Sequence, residues 1–586
     1  MKFLGNVLAT IIGLFVFFML FFFGILFIGA VFGGDSEKVM VKNNSVIELN
    51  LEDIQFDYAG KYNDPWVTIF SDGKTVGLMD ILSAIEEAKT DNNIEGISIL
   101  NGSSQLGMAQ SKALRDALLN FKKSGKFILS YSNAYSQKEY YLNSVADKIY
   151  INPVGEMDFK GLSSEIMFYK DLQEKTGVKM EVIRHGKYKS AVEPFLENKM
   201  SDANREQVTA LLNSVWNYVL VDIAKSRNIS VENLNKIAND LLARTPEMAK
   251  AQKLVDIIAY EDVYHDDIRK ALSVEKDEDY NSVSITDYTK NIKTTSKISD
   301  AQDQIAIVYA QGEIQGGEGD VNTIGEGSMR RALQDARKNK DVKAIVLRVD
   351  SPGGSALTSD LIWREIELTK KLKPVVVSMG NYAASGGYYI ACNANTIFAE
   401  NNTITGSIGV FGILPNFSQL TTKIGISVEQ VNTHENSAPY SPFVPLNDKL
   451  KAVTLEGVEA IYKTFVTRVA QGRKMTFAQV DAIGQGRVWA GSEAIKIGLV
   501  DKIGGLDAAI KEAAVLGKTK KYTTQNYPEY NKDFNDLLAN FPFAQSKENF
   551  IKEEIGQENY LLLQKVKRMQ TQKGVQALLP FEINIR

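Results

Sequence analysis

The sequence predicts an α/β protein: two tandem, homologous domains built from βαβ units and preceded by one membrane-spanning helix. Three observations predict it. The chain matches itself at an offset of 248 residues, β-branched runs alternate with helical patterns inside each matching stretch, and Val7 to Phe32 is an almost unbroken apolar run without a charged residue.

The self-match rests on identities held at one offset. Ile97 falls on Ile345, Asn133 on Asn381, Tyr140-Tyr141 on Tyr388-Tyr389, Ile149 on Ile397, Gly161 on Gly409, Gly177 on Gly425 and Pro194-Phe195 on Pro442-Phe443. Apolar runs coincide between these anchors, as with Phe127-Ile128-Leu129 over Val375-Val376-Val377. After a shift of three residues, Leu254-Val255-Asp256 lies over Leu499-Val500-Asp501. Within the second copy, Ile305–Tyr309, Ala344–Leu347 and Val375–Met379 read as buried strands, and Ser328–Lys338 and Ser359–Lys371 as the helices between them. Strands separated by helices of this length imply a parallel sheet with right-handed crossovers.

A chain of 586 residues exceeds one core and suits two domains of roughly 200 residues with appendages. We expect a short cytoplasmic start (1–6), an anchor (7–32), a first repeat (46–270), a linker (271–303), a second repeat (304–516) and a helical or partly flexible tail (517–586). At ~1.5 Å per residue the apolar run is long enough to cross a hydrocarbon layer of roughly 30 Å with tilt, and it is longer than the ~7–15 apolar residues of a cleaved signal peptide. Lys2 precedes the run, whereas Asp35, Glu37, Lys38 and Lys42 balance after it. That bias places residue 1 in the cytoplasm and the body beyond the cytoplasmic membrane. The linker, Lys276 to Asp300, is rich in Asp, Ser, Thr and Lys without sustained periodicity, which suits short extended pieces; in the tail, Glu554–Gln570 has the spacing of an amphipathic helix.

Composition narrows the chemistry. With 44% hydrophobic and 24% charged residues and a formal net charge of −4, the chain gives no reason to expect nucleic acid. Its one cysteine, Cys392, excludes an intrachain disulfide and reads as a core thiol; three histidines leave little for a metal site.

The two copies differ where reactive residues stand. Ala383-Ala384-Ser385-Gly386-Gly387 lies over Tyr135-Ser136-Gln137-Lys138-Glu139, and Lys189 lies over Ser437. A candidate nucleophile exists only in the second copy and a candidate base only in the first, the pattern of one active site assembled from two half-sites. Small neighbours would expose Ser385 where a strand gives way to a helix, with the Gly386 amide available to a developing oxyanion. Asp350-Ser351-Pro352-Gly353-Gly354 also follows a strand, and its glycines let the backbone approach a ligand closely. A serine needs a base. Burial can depress a lysine pKa until the neutral amine is populated, but a lone lysine is usually a solvated surface group. His185 and His434 stay open as alternatives by position.

Taken together, Lys-Ser-Ala-Val-Glu-Pro-Phe (189–195), Asp-Ser-Pro-Gly-Gly (350–354), Ala-Ala-Ser-Gly-Gly-Tyr-Tyr (383–389) and Thr-Gly-Ser-Ile-Gly-Val (405–410) resemble the signal peptide peptidase A family in its long, duplicated form. The resemblance runs from about residue 7 to 515. It implies that each repeat has the spiral βαβ fold of the Clp protease and crotonase group. It also implies a serine–lysine dyad of Ser385 and Lys189, an oxyanion hole from the Gly354 and Gly386 amides, and Ser407 orienting the lysine. No metal or cofactor is implied. Hydrophobic signal-peptide remnants are the implied substrates and a membrane-facing homotetramer the implied assembly. A crotonase-like acyl-coenzyme A enzyme and a non-catalytic membrane scaffold are the competing readings.

Overall fold

The computed structural model describes residues 40–62 except 55, 76–101, 104–295, 302–530 except 439, and 576–578, with residues 5, 10–21, 23 and 24 at the amino end. Residues 10–21 are helical and expose Phe15, Phe17 and Leu20. No helix among the described residues is long and apolar enough to cross a membrane. Most of the rest of the 7–32 span, and all of Glu554–Gln570, lies outside the described residues.

Two parallel sheets form the body. In the first, strands run in the order Ile257–Ile258, Lys148–Met157, Phe127–Tyr135, Ile94–Leu100, Ser45–Asn50, Asn281–Ser284, every neighbouring pair parallel. In the second, the central run is Ile404–Gly406, Val375–Ala384, Val342–Ser351, Gln304–Gln311, Thr523–Tyr527. The central strands are apolar without alternation because helices cover both faces; Ile345, Val346, Leu347 and Val349 are all fully buried.

The duplication is visible in elements as well as identities. Helices Met108–Lys122 and Ala356–Lys370 are each 15 residues long, and Asp202–Arg227 and Asp448–Arg473 are each 26. Both long helices end on a left-handed residue, Asn228 and Lys474, which satisfies the last carbonyls without continuing the helix. Equivalent side chains do equivalent work. The Tyr140 hydroxyl donates to the Leu254 carbonyl at 2.9 Å and the Tyr388 hydroxyl to that of Leu499 at 2.8 Å. Arg227 pairs with Asp256, as Arg473 does with Asp501.

Two regions outside the repeats contribute to the sheets. Inside the expected linker, the short strand Asn281–Ser284 joins the edge of the first sheet and Ile285–Thr295 follows as a helix whose Ile285 and Tyr288 are buried. In the described part of the expected helical or partly flexible tail, Thr523–Tyr527 extends the second sheet, Glu529–Tyr530 pairs with Lys61–Tyr62, and Gln576–Leu578 enters a third sheet.

That third sheet joins the halves. Lys179–His185 of the first repeat pairs antiparallel with Val410–Asn416 of the second, from Val410 opposite His185 to Asn416 opposite Lys179. The cores interlock too, since Ile404, Val488 and Ala490 of the second repeat pack into the first repeat's cluster. The strand carrying the lysine segment is thereby pinned to the repeat that carries the serine.

Candidate active site

Ser385 follows the buried strand Val375–Ala384 and caps the helix Gly386–Ala391 with φ 55° and ψ −115°. A non-glycine residue there stores backbone strain of ~1–3 kcal/mol, which the surroundings must over-determine. They do so through two hydrogen bonds: the Ser385 amide donates to the Gly406 carbonyl at 2.8 Å, and the Tyr389 amide donates to the Ser385 carbonyl at 2.8 Å. Parallel pairing of Ala384 with Gly406 brings the next residue on the neighbouring strand, Ser407, beside Ser385.

Lys189 arrives from the other repeat. After the strand Lys179–His185 the chain turns at Gly186, whose φ is 107°, and Lys189 precedes the short turn Ser190–Val192. Its backbone lies against Gly486: a Cβ built there would sit 2.6 Å from the Lys189 nitrogen. One at Gly409 would sit 3.1 Å from Lys189 Cδ. These two glycines form the walls between which the lysine stem reaches the serine. Gln207 fixes the segment from behind, donating to the Tyr188 carbonyl at 3.0 Å and to Ser190 Oγ at 2.9 Å.

The lysine amine meets the Ser385 hydroxyl at 2.9 Å, the Ser407 hydroxyl at 3.0 Å and the Ser407 carbonyl at 3.3 Å, and it also donates to the Leu578 carbonyl. Lys189, Ser385 and Ser407 are all fully buried. Among the described residues no carboxylate forms an ion pair with Lys189, and burial alone holds its pKa well below the ordinary 10.5. With no carboxylate beside it, burial disfavours the charged amine; the neutral amine has a lone pair able to accept a hydroxyl proton. The site therefore places a buried amine of lowered pKa within hydrogen-bonding reach of a serine hydroxyl.

Gly354 and Gly386 also converge. Gly353 and Gly354 have φ of 104° and 152°, and a Cβ on Gly386 would lie 3.2 Å from the Gly354 nitrogen. A Cβ on Gly353 would lie 2.8 Å from the Gly386 nitrogen. Only glycines let the two amide-bearing backbones approach this closely. The turn is anchored by Asp350, whose carboxylate accepts from the Tyr382 amide at 2.9 Å and the Asn381 side chain at 3.0 Å.

The structure thus gathers all five site residues expected from sequence, and it places the histidines elsewhere. His185 stacks on Tyr462 with ring centroids 4.0 Å apart, and His434 is exposed beside Thr433. No histidine nitrogen among the described residues hydrogen-bonds Ser385. The matching position of the first repeat carries no second site: Gln137, aligned with Ser385, is buried and accepts from the Gly161 amide at 2.8 Å. Sequence reasoning missed Gly486, Gln207 and the Gln576–Leu578 strand. Gly409 stood in the quoted Thr-Gly-Ser-Ile-Gly-Val motif, as a repeat identity without an assigned role.

Two interlocked α/β repeats that bring a buried amine of one to a strained serine of the other have the arrangement of a serine hydrolase. The chain belongs to peptidase family S49, whose sequence signature matches residues 120–275 and again 367–520. It is 36% identical over 464 residues to Protease 4 of Haemophilus influenzae, an alignment covering 77% of this chain and 74% of that protein. Protease 4 of Salmonella typhi is 37% identical over 470 residues, with the same coverage. The chloroplastic serine protease SPPA of Arabidopsis thaliana is 32% identical over 511 residues, covering 85% of this chain and 73% of the plant protein.

Proposed function

We propose that this chain is a membrane-anchored serine endopeptidase that degrades cleaved signal peptides, with Ser385 as nucleophile and Lys189 as general base. The observation that carries the reading is the 2.9 Å contact between a fully buried, carboxylate-free lysine amine and a serine held in strained geometry. Neutral Lys189 takes the Ser385 proton as the oxygen attacks a peptide carbonyl. The Gly354 and Gly386 amides hold the oxyanion, a contribution worth ~10²–10³ in turnover per donor at such sites. Lys189 then protonates the leaving amine, and water releases the acyl group by the reverse route. Ser407, through its hydroxyl and carbonyl, keeps the amine aimed at Ser385.

Peptide as the substrate class is supported by the third sheet. The strands Gly353–Ser355 and Val410–Asn416 are separated by the width of one strand, and the slot is filled antiparallel to both. An extended peptide entering there binds by backbone hydrogen bonds. An acyl-coenzyme A reading gives no role to the lysine. In this proposal the apolar amino-terminal run holds the body against the extracytoplasmic face of the cytoplasmic membrane, where signal-peptide remnants accumulate, and four copies assemble with their sites toward the bilayer. Incubating the purified chain and its Ser385→Ala variant with an internally quenched signal-peptide segment tests the reading. Cleavage by the parent and none by the variant is expected; equal cleavage, or none by either, refutes it.

A further inference from the structure

Just before the site, the strand that leads into the glycine turn and the strand that leads into Ser385 part company. Val349 pairs with Met379 and Ser351 with Ala383, so the single residue Asp350 faces Gly380, Asn381 and Tyr382. Such a bulge interrupts the ladder that would otherwise fix one strand end against the other. A carboxylate closes the gap: Asp350 accepts from the Tyr382 amide at 2.9 Å and from Asn381 Nδ2 at 3.0 Å. Gly380 makes the room, since a Cβ there would lie 2.9 Å from both Cβ and Cγ of Asp350. Gly353 stands three residues after Asp350, and Ser385 three after Tyr382.

The bonds continue into the other repeat. Asn381 Oδ1 accepts from the Ala109 and Gln110 amides at 3.0 and 3.2 Å, capping the helix Met108–Lys122 in place of Gly107, which has no side chain to do so. A Cβ at Gly107 would lie 2.3 Å from Asn381 Cγ, so only glycine admits the asparagine. Gln110 Nε2 donates to Asp57 Oδ1 at 2.9 Å, and Asp57 Oδ2 accepts at 2.7 Å from Nε of Arg348, two residues before Asp350. The circuit crosses between the repeats twice, and its polarity is fixed. Helix amides only donate, so Asn381 gives them its oxygen and turns its NH2 toward Asp350. The Tyr382 amide donates as well, so residue 350 must accept on both sides, which a carboxylate does and a carboxamide does not. The first repeat lacks the arrangement: Gly102 matches Asp350, and Asn133, which matches Asn381, accepts instead from the Tyr131 hydroxyl at 3.0 Å and from Asn152 at 2.9 Å.

Resting on the peptidase reading, we infer that Asp350 and Asn381 are positioning residues for its reaction. Together they set the register between the Gly353-Gly354 turn and the Ser385-Gly386 segment, and they tie that register to the repeat that delivers Lys189. They act on the chemistry through the backbone, Asp350 through the turn it opens and Asn381 through the strand end that leads to the serine.

Exchanging the two side chains tests the inference. Asp350→Asn alone sets an amide NH2 against that of Asn381, and Asn381→Asp alone sets two carboxylates face to face. Both changes together restore every bond: the new asparagine accepts from the Tyr382 amide and donates to the new carboxylate, which accepts from the helix amides. Burial first, and the Asp57 carboxylate second, push the Asp350 carboxyl up to about 7, so hydrolysis of a quenched peptide is followed at about pH 9, where it is ionised. Each single variant is expected to lose ~10–10²-fold in kcat with KM within about threefold of wild type, and the double variant to return to within about fivefold. Asp350→Asn within about threefold of wild type in kcat, or a loss carried by KM, overturns the inference and leaves the peptidase reading standing. So does a double variant that does not fold, or that folds and stays about tenfold or more below wild type, whether or not the single variants fold. A wild-type chain that hydrolyses no peptide overturns both.

Discussion

Replacing Gly353 with alanine perturbs the site through geometry alone, adding one methyl and no charge. The new Cβ would stand 2.0 Å from the carbonyl oxygen of the strand in the slot and 2.8 Å from the Gly386 nitrogen. Ordinary contact between carbon and oxygen needs more than 3 Å, so the bound peptide would have to withdraw by about 1 Å or more. A misplacement of that size costs on the order of 10² in rate, and losing alignment with one oxyanion donor costs ~10²–10³. The backbone contributes separately: φ of 104° suits glycine and strains alanine by ~1–3 kcal/mol. Gly316→Ala is the matched control, since nothing lies within 4 Å of a Cβ there. The assay is kcat/KM on a quenched peptide together with thermal denaturation. Gly353→Ala is expected to fall at least 10²-fold below Gly316→Ala while still melting cooperatively. Turnover within about fivefold of the control would show that the substrate carbonyl does not lie over Gly353, and the reasoning about the slot would fail.

Other perturbations test separate parts. Lys189→Met keeps the side-chain volume and removes the base, so kcat should drop by ~10²–10⁴ with the melting transition retained. The same variant reports the proton balance. Burial holds the Lys189 pKa below 10.5 in the fold, so between the lowered value and 10.5 the unfolded chain binds the extra proton and wild-type stability rises with pH. Wild type should therefore gain on Lys189→Met in denaturation midpoint from pH 7 to pH 10; a constant difference would mean the amine titrates normally. Ser407→Ala deletes the hydroxyl 3.0 Å from the amine and should lower kcat by ~10–100-fold with little change in KM. An equal rise in KM would assign Ser407 to substrate binding instead. Finally, Arg348→Met strands the Asp57 carboxylate that Arg348 meets at 2.7 Å in the core, and urea titration should show a loss of about 3–5 kcal/mol. A loss below 1 kcal/mol would mean that water reaches Asp57.

Much of the fold could be read directly because duplication supplies an internal alignment. Tyr140 and Tyr388, or Asp256 and Asp501, match in sequence since each copy needs the same tyrosine-to-carbonyl bond and the same arginine partner. The serine was legible from its small neighbours and the strand before it. The lysine was not legible by itself: nothing in Tyr188-Lys189-Ser190 separates a buried amine from a solvated one. Its burial depends on Gly409 and Gly486, some 220 residues or more away along the chain and brought to it by long-range contacts such as the pairing of Lys179–His185 with Val410–Asn416 and the Tyr188 amide on the Gln485 carbonyl. Family resemblance supplied that link before the geometry did. The strand Gln576–Leu578 was hidden for a different reason: three residues carry no periodicity, and its place is fixed by backbone hydrogen bonds to both neighbours, which any sequence without proline there could make.

The central claim is that an uncharged Lys189 activates Ser385, and the pH dependence of covalent labelling tests it most directly. A peptidyl probe that reacts only with an activated serine is incubated with the protein across pH 5 to 10, and the modified residue is mapped at each point. The account predicts a label on Ser385 whose rate rises along one limb set below the ordinary lysine pKa, and which disappears in Lys189→Met. A label on another residue, or a Ser385 labelling rate that keeps its limb without the lysine, would contradict it.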